Sequence, residues 1–329
     1  MAKMSLGLCC LNTVLRNPPK KDGKRQEPVF TSRTCRIQTF KEKGIDYLIE
    51  LSLNNLDDLE KMLIWNKENG IHVFRLSSEM FPHISNPELF KFDEEKGREY
   101  YSLEWARSKL EKIGALANKL DIRLTFHPGQ YNQVGAKDEK VFVKTMVDLN
   151  WHARVLEILG TKNAVMVVHG GGTYGNKSET IKRWEVNYHR LPDVIKKFLV
   201  LENCEKCYSV EDLLPLCNVC NIPLVYDTHH YTCYTILHPE ETQKPIEEMI
   251  PAVLETWKRR GIKPKFHISE QGSGKCGHHS DYIENIPQHV IDIPTKMHVS
   301  MDLMIEAKAK EQAIFKLYEK YQKDNFLKI

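Results

Sequence analysis

The sequence predicts an α/β protein, a (β/α)8 TIM barrel, and three observations carry that prediction. About eight short apolar runs alternate with helix-patterned segments along 329 residues, and such alternation implies a parallel sheet. Eight repeats in ~250–330 residues fit a closed barrel better than an open doubly wound sheet. No glycine-rich dinucleotide fingerprint follows the first run, where Gly7 stands alone. No linker, low-complexity segment or short internal repeat divides the chain, so residues 1–329 are expected to form one domain.

The elements follow in order. Residues 4–11 (MSLGLCCL) are the first expected strand. Residues 17–28 (NPPKKDGKRQEP) form a basic loop, too polar to pack, read here as solvated surface. A helix capped by Asn54 or Asn55 carries Leu56, Leu59, Leu63 and Trp65, and Gly70 closes it. A strand over 72–77 precedes a helix over 102–120, with Leu103, Ala106, Leu110 and Ile113 at helical spacing. The strand 121–126 runs into His127. Phe142, Met146, Leu149, Ala153 and Leu156 mark the next helix, closed by Gly160. Then come a strand over 164–168, a helix over 179–197 and a strand over 198–201 ending at Glu202. A short helix over 210–219 is expected to bend at Pro215. The series ends with a strand over 223–226 running into Asp227, a helix over 247–260, strands over 265–268 and 299–305, and a helix over 307–321.

Composition narrows the function classes. The chain is 41% hydrophobic and 28% charged, the balance of an ordinary globular protein. No apolar run reaches the roughly 18 residues a membrane helix needs, and residues 1–10 do not read as a secretion signal. A soluble intracellular protein is expected, cytoplasmic or, in a eukaryote, nuclear, with no membrane partner and monomeric. Nine cysteines in such a chain are expected to be reduced. A net charge of +3 does not itself announce nucleic acid, although a local basic groove is compatible with it.

The chemistry lies at the strand ends. In a barrel of this type the C-terminal ends of all strands share one face, and chemistry sits there. Those ends carry His127, His169, Glu202, Asp227 with His229 and His230, Lys265 with His267, and Glu306. Alternation puts Lys265 and His267 on one face of a buried strand, which is costly unless something pairs with them. A lone histidine at a strand end is usually hydrogen-bonded to backbone. Several carboxylates facing one another repel and become protonated unless cations lie between them. Imidazole with carboxylate suits Mn, Fe or Zn, and the ligands outnumber what one tetrahedral ion can use, so two or three metals are expected. The predicted fold is therefore a barrel with a metal cluster at the C-terminal ends of its strands. Such clusters handle phosphodiesters; metal-dependent sugar isomerisation is the alternative chemistry.

Two other motifs carry less. Cys204-x2-Cys207 and Cys217-x2-Cys220 match a four-cysteine zinc spacing. A helix starting near residue 210 would put the second pair on the order of 12 Å from Cys207, so Cys217 and Cys220 read as packing thiols. The glycines of HGGGTYG (169–175) lack the lysine and hydroxyl of a P-loop.

With these residues assembled, the chain resembles the UV damage endonuclease family (UvdE). The segments that carry the resemblance are FRLSSEMFP, FHPGQY, VVHGGGTYGNK, LEN, YDTHH, KFHIS, HSDY and MIEAKAKEQA, spread over nearly the whole chain. The resemblance implies a DNA excision-repair endonuclease that nicks UV-damaged double-stranded DNA directly 5′ to pyrimidine dimers and 6-4 photoproducts, leaving 3′-hydroxyl and 5′-phosphate. It implies manganese, with Mg2+, Zn2+ or Fe2+ as alternatives, held by His127, His169, Glu202, Asp227, His230, His267 and Glu306. Lys265 matches a family lysine that can be carboxylated and then reach the metals, and His279 matches a further histidine near the site. Glu202, Lys265 and His267 are the residues expected to carry the catalysis. Gln130 and Tyr131 match residues that insert at the lesion; an amide and an aromatic ring can fill the gap left by displaced bases. Arg33, Arg36 and Asn12 are further candidates for DNA contact.

Two departures from the family pattern stand out. Asn86 occupies the place of a metal-site histidine, so either His83 or the Asn86 carbonyl oxygen is expected to substitute. Leu8 stands where many relatives have an aromatic. The expected mechanism is in-line attack of hydroxide on phosphorus, with damage read through weakened stacking and easier kinking. An abasic-site endonuclease, a metal-dependent sugar isomerase and a lesion-binding protein that does not cut are the competing readings.

Overall fold

Eight parallel strands form the barrel in a computed structural model that describes residues 2–24, 26–86, 89, 92–93, 98–99 and 101–329, the pairs 92–93 and 98–99 by backbone alone. The strands are β1 (Met4–Cys9), β2 (Val73–Arg75), β3 (Arg123–Phe126), β4 (Val165–His169), β5 (Leu199–Glu202), β6 (Leu224–Val225), β7 (Lys265–Ile268) and β8 (Met301–Ile305). Their spatial order is β6-β5-β4-β3-β2-β1-β8-β7. A parallel bridge between Asp227 and His267, with the His267 amide donating to the Tyr226 carbonyl at 3.0 Å, joins β6 to β7 and brings the ends of the sheet together. A short β9 (Leu327–Lys328) adds to β1. Of the basic loop, Arg25 lies outside the described residues.

Alternation sorts each strand into two faces. Met4, Leu6 and Leu8 pack outward with the helices in the main apolar core. Cys9 meets Val73 and Met304 on the inner face, and Val165, Val167, Val200 and Val225 pack there with Trp257. Gly7 is required at this crowded level: a Cβ would lie 3.0 Å from both Met304 and Val73. The side chains above and below this apolar belt are polar. Toward the N-terminal foot, Arg123 donates to Asp302 at 2.9 Å, and Lys263 also pairs with Asp302.

The helices differ from expectation in three places. Neither Asn54 nor Asn55 is a cap: one helix runs from Ile45 to Glu68, entered through Gly44, whose φ of 79° is glycine's territory. Asn55 survives inside it because its amide serves loop backbone, accepting from the Arg33 N–H (2.8 Å) and donating to the carbonyls of Arg33 (2.9 Å) and Met80 (3.1 Å). The helix expected over 179–197 is two, Lys177–Arg190 and Asp193–Phe198, because the residue before Pro192 is pushed to extended backbone, ψ 144° at Leu191. The last helix starts later than expected, at Glu311. No helix among the described residues is long and apolar enough to cross a membrane.

Candidate active site and metal centre

Polar residues stand at or just after the C-terminal ends of β2 to β8, and barrel closure brings these ends together. Glu202, ending β5, is the hub. Its Oε1 lies 2.7 Å from His267 Nδ1 and 3.7 Å from His230 Nδ1. Its Oε2 lies 2.9 Å from His127 Nε2 and 3.7 Å from His169 Nε2. Glu306, following β8, reaches His267 Nδ1 at 3.1 Å. Asp227, following β6, caps the helix Thr228–Leu237 by accepting from the His230 amide at 2.7 Å. That cap fixes the His230 ring on the cluster side, its Nδ1 3.0 Å from the Asn203 carbonyl.

Among the described residues, three donor groups overlap here: His127–His267–Glu306, His127–His169–Glu202 and Glu202–Asp227–His230, each with ligand atoms within 4.8 Å of one another. The first two share His127 and the last two share Glu202, so the sites are contiguous. The donors suit a divalent cation. Glu202 Oε2, Asp227 Oδ2 and His169 Nδ1 are buried without a hydrogen-bond partner, although Oε2 has two imidazole nitrogens around it. Lone pairs converging in this way repel unless a proton or a cation lies between them. Imidazole with carboxylate is the donor set of Mn, Fe and Zn rather than of soft metals.

The electrostatics point the same way. Burial opposes charge on Glu202, but His267, His169 and His127 hold its carboxyl well below the usual range. Glu306 is likewise held low, by Arg75 and His267 against burial. Burial raises Asp227 to about 7. His230 is raised to about 10 because Asp227, Glu202 and Glu306 outweigh its burial. Burial lowers His169 to about 4 and His267 to about 3. Lys265 is fully buried with Nζ against His267 Nε2. Burial, reinforced by Arg75 and Arg123, brings its ammonium down to about 7.

The remaining expected residues are dispersed. His279 sits at the edge, Nδ1 4.0 Å from Glu306. His229 packs against the Cys233 thiol at 3.6 Å and the His279 ring. His83 has its Nε2 2.8 Å from the Cys35 carbonyl and does not belong to the three groups. Gln130 and Tyr131 are exposed on the loop that follows β3, and Arg36 is exposed at the start of the helix Ile37–Lys43. Asn12 is instead fully buried, capping the helix Thr13–Arg16 by accepting from the Leu15 amide. Arg33 directs its guanidinium at Asp58 (2.6 Å) and the carbonyls of Phe30 and Pro28. Both therefore serve packing in this conformation. Leu8 is buried on the outer face of β1. Cys217 and Cys220 are buried thiols of the core.

Two site residues escaped the sequence reading. Arg75, ending β2, pairs with Glu306 from within the barrel. The signal was available: alternation puts Val73 and Arg75 on one face, as it does Lys265 and His267. Asn203 accepts from the Asp227 amide at 2.8 Å and donates to the Asp227 carbonyl at 3.1 Å, locking β5 to β6 beside two candidate ligands. Only its place after Glu202 hinted at this.

The geometry defines the class first: a (β/α)8 barrel whose mouth gathers buried His, Asp and Glu groups that could hold a metal ion, beside an exposed aromatic loop. Comparison with known proteins then gives the family. Residues 4–328 match the family described as UV-endonuclease UvdE, and this chain belongs to it. It is 42% identical over 333 residues to the UV-damage endonuclease of Schizosaccharomyces pombe, covering 97% of this chain and 51% of that protein. It is 32% identical over 282 residues to the UV DNA damage endonuclease of Bacillus cereus, covering 85% and 84%. The chain thus spans about half the length of the fission-yeast relative and most of the bacterial one. The crystal structure of SacUVDE superposes with a TM-score of 0.80 at 26% identity, covering 98% of this chain and all of that one.

Proposed function

We propose that this chain is an endonuclease of UV-damaged duplex DNA, cutting the phosphodiester directly 5′ to pyrimidine dimers and 6-4 photoproducts and leaving 3′-hydroxyl and 5′-phosphate ends. Membership of the UvdE family supports the activity. The observation that carries the chemistry is Glu202 with four imidazoles converging on its two oxygens in the barrel mouth.

His127, His169, Glu202, Asp227, His230, His267 and Glu306 would hold the ions, proposed as two or three Mn2+. Bound there, divalent ions would acidify water and neutralise the charge on the attacked phosphate and the leaving oxygen. The chain's own groups do the rest. Glu202 orients His267 and His127 through its two oxygens. Asp227, fixed by Asn203, holds His230 in register. Arg75 positions Glu306 and adds a fixed positive charge where phosphate would enter. Lys265 loses its proton near neutrality because it is buried, and a neutral amine adds CO2 to give a carbamate anion with release of one proton. That change replaces a cation, which would repel metals, by an anion that attracts them. Gln130 and Tyr131 stand exposed beside His127, ready to occupy the space left by displaced bases. Arg36 is exposed to contact backbone phosphate.

The test is incision of a duplex carrying one site-specific cyclobutane dimer, with EDTA-stripped protein and then with added Mn2+. A single nick 5′ to the dimer, restored by the metal, is expected. Equal cutting of the undamaged duplex would remove damage specificity, and preference for an abasic duplex would favour the abasic-site reading.

A further inference from the structure

The loop carrying Tyr131 has an anchor beneath it. Tyr131 is 66% exposed, yet its hydroxyl donates to Asp148 Oδ2 at 3.2 Å. Asp148 is only 3% exposed and lies on the helix Glu139–Leu159, outside the metal-ligating cluster. Its carboxylate is held on every side. Asn132 Nδ2 donates to Oδ2 at 2.8 Å, and Trp151 Nε1 donates to Oδ1 at 3.1 Å. The His152 ring lies 3.7 Å from Oδ2, with its Nδ1 on the Asp148 carbonyl at 2.7 Å and its Nε2 on Ser78 Oγ at 3.0 Å.

A second observation shows that the ring's place is built in. A Cβ at Gly129 would lie 2.5 Å from Tyr131 Cε1, so the absence of a side chain there lets the ring lie back over the loop. Tyr131 is therefore tied at its tip and open at its face. A single exposed tyrosine ordinarily gains little from being ordered in this way, because a buried carboxylate must be kept paired to do it. A ring that has to meet an unstacked base pair gains directly, since ordering it beforehand removes that cost from binding.

Resting on the proposed activity, we infer that Asp148 is a positioning residue for lesion recognition: it holds the Tyr131 ring in its DNA-engaging pose through the phenolic hydroxyl. Tyr131 keeps that bond, and the buried Asn132–Asp148–Trp151 network makes the pose rigid.

Three variants test this. Tyr131→Phe removes the hydroxyl and leaves the carboxylate network intact, Asp148→Asn removes the charge, and Gly129→Ala displaces the ring. Each is expected to raise KM for a dimer duplex by about 3- to 10-fold, with kcat changing by less than about twofold. Tyr131→Phe combined with Asp148→Asn should be no worse than either alone, because both break one interaction. Independently of activity, 13C relaxation of the Tyr131 ring in the DNA-free protein should report an ordered ring in the wild type and a mobile ring in Asp148→Asn. Additive losses in the double variant, or equal ring order with and without the carboxylate, would overturn the assignment. A wild-type chain that neither binds nor cuts the dimer duplex, with the ring order as described, would overturn the endonuclease reading on which the inference rests.

Discussion

The mouth and the foot of this barrel are filled by the same device and end in opposite states. At both ends alternation turns polar side chains inward. At the foot the charges answer one another: Arg123 donates to Asp302, to the Asn163 carbonyl at 2.6 Å and to the Lys263 carbonyl at 2.9 Å. Lys263 adds a second cation to the same carboxylate, and the Arg123 guanidinium lies over Trp257, 5.7 Å from the ring centroid. At the mouth, burial keeps His169 and His267 from protonating beside Glu202, and His230 is raised by the carboxylates around it. Glu202 Oε2 and Asp227 Oδ2 lack a hydrogen-bond partner, whereas Asp302 Oδ1 at the foot, which also lacks one, is paired with Lys263. A foot that balances its own charges reads as structure. A mouth where one buried carboxylate gathers four imidazoles reads as a candidate site for a metal ion.

That contrast can be broken or sharpened by experiment. Glu202→Gln removes the charge on which four imidazoles converge, and is expected to lower incision at least about 10^2-fold in steady-state assays while the protein stays folded by circular dichroism. Arg123→Met should do the reverse. It strips one partner from a buried pair, so urea unfolding should show a loss of about 3 kcal/mol, with kcat per folded molecule retained. Arg75→Lys keeps the charge but loses the planar fork that meets Glu306; a loss of about 10- to 100-fold in incision is expected, as for groups that orient metal ligands. If Arg75→Lys instead destabilises as Arg123→Met does, Arg75 belongs with the foot.

The smallest effect is on pH dependence. Burial holds His152 at about 4, with Asp148 pulling the other way, against about 6.5 for a free imidazole. As pH falls below about 6.5 the unfolded chain takes up this proton and the folded chain does not. Stability from this group is therefore complete above pH 6.5 and lost progressively toward pH 4. Between pH 6.5 and 5 the loss is on the order of 2 kcal/mol, and His152→Gln should flatten that part of a urea-midpoint profile.

Much of this was legible in the sequence, for physical reasons. Period-two alternation placed Lys265 and His267 on one inner face. Strand ends separated by helices meet once a parallel barrel closes, so His127, His169, Glu202 and Glu306 could be gathered without any neighbour in sequence. What stayed hidden depends on tertiary partners. Asn55 looked like a cap because asparagine favours caps; loop backbone 22 residues away keeps it inside a helix. Arg33 and Asn12 hold Asp58 and a local helix cap, partners that sequence spacing does not reveal. Arg75 was missed although alternation put it on one face with Val73, because an arginine is ordinarily a solvated residue. Asp148 gave no signal, since an acid on a helix is ordinarily a solvated one.

The most direct test is the number of Mn2+ ions bound per chain by EDTA-stripped protein, read by equilibrium titration for the wild type, Glu202→Gln and Arg123→Met. Two or three ions in the wild type, fewer or weaker in Glu202→Gln and an unchanged number in Arg123→Met is the predicted result. No specific binding in the wild type, or the same binding in the wild type and Glu202→Gln, would contradict the assignment of the barrel mouth as a metal centre.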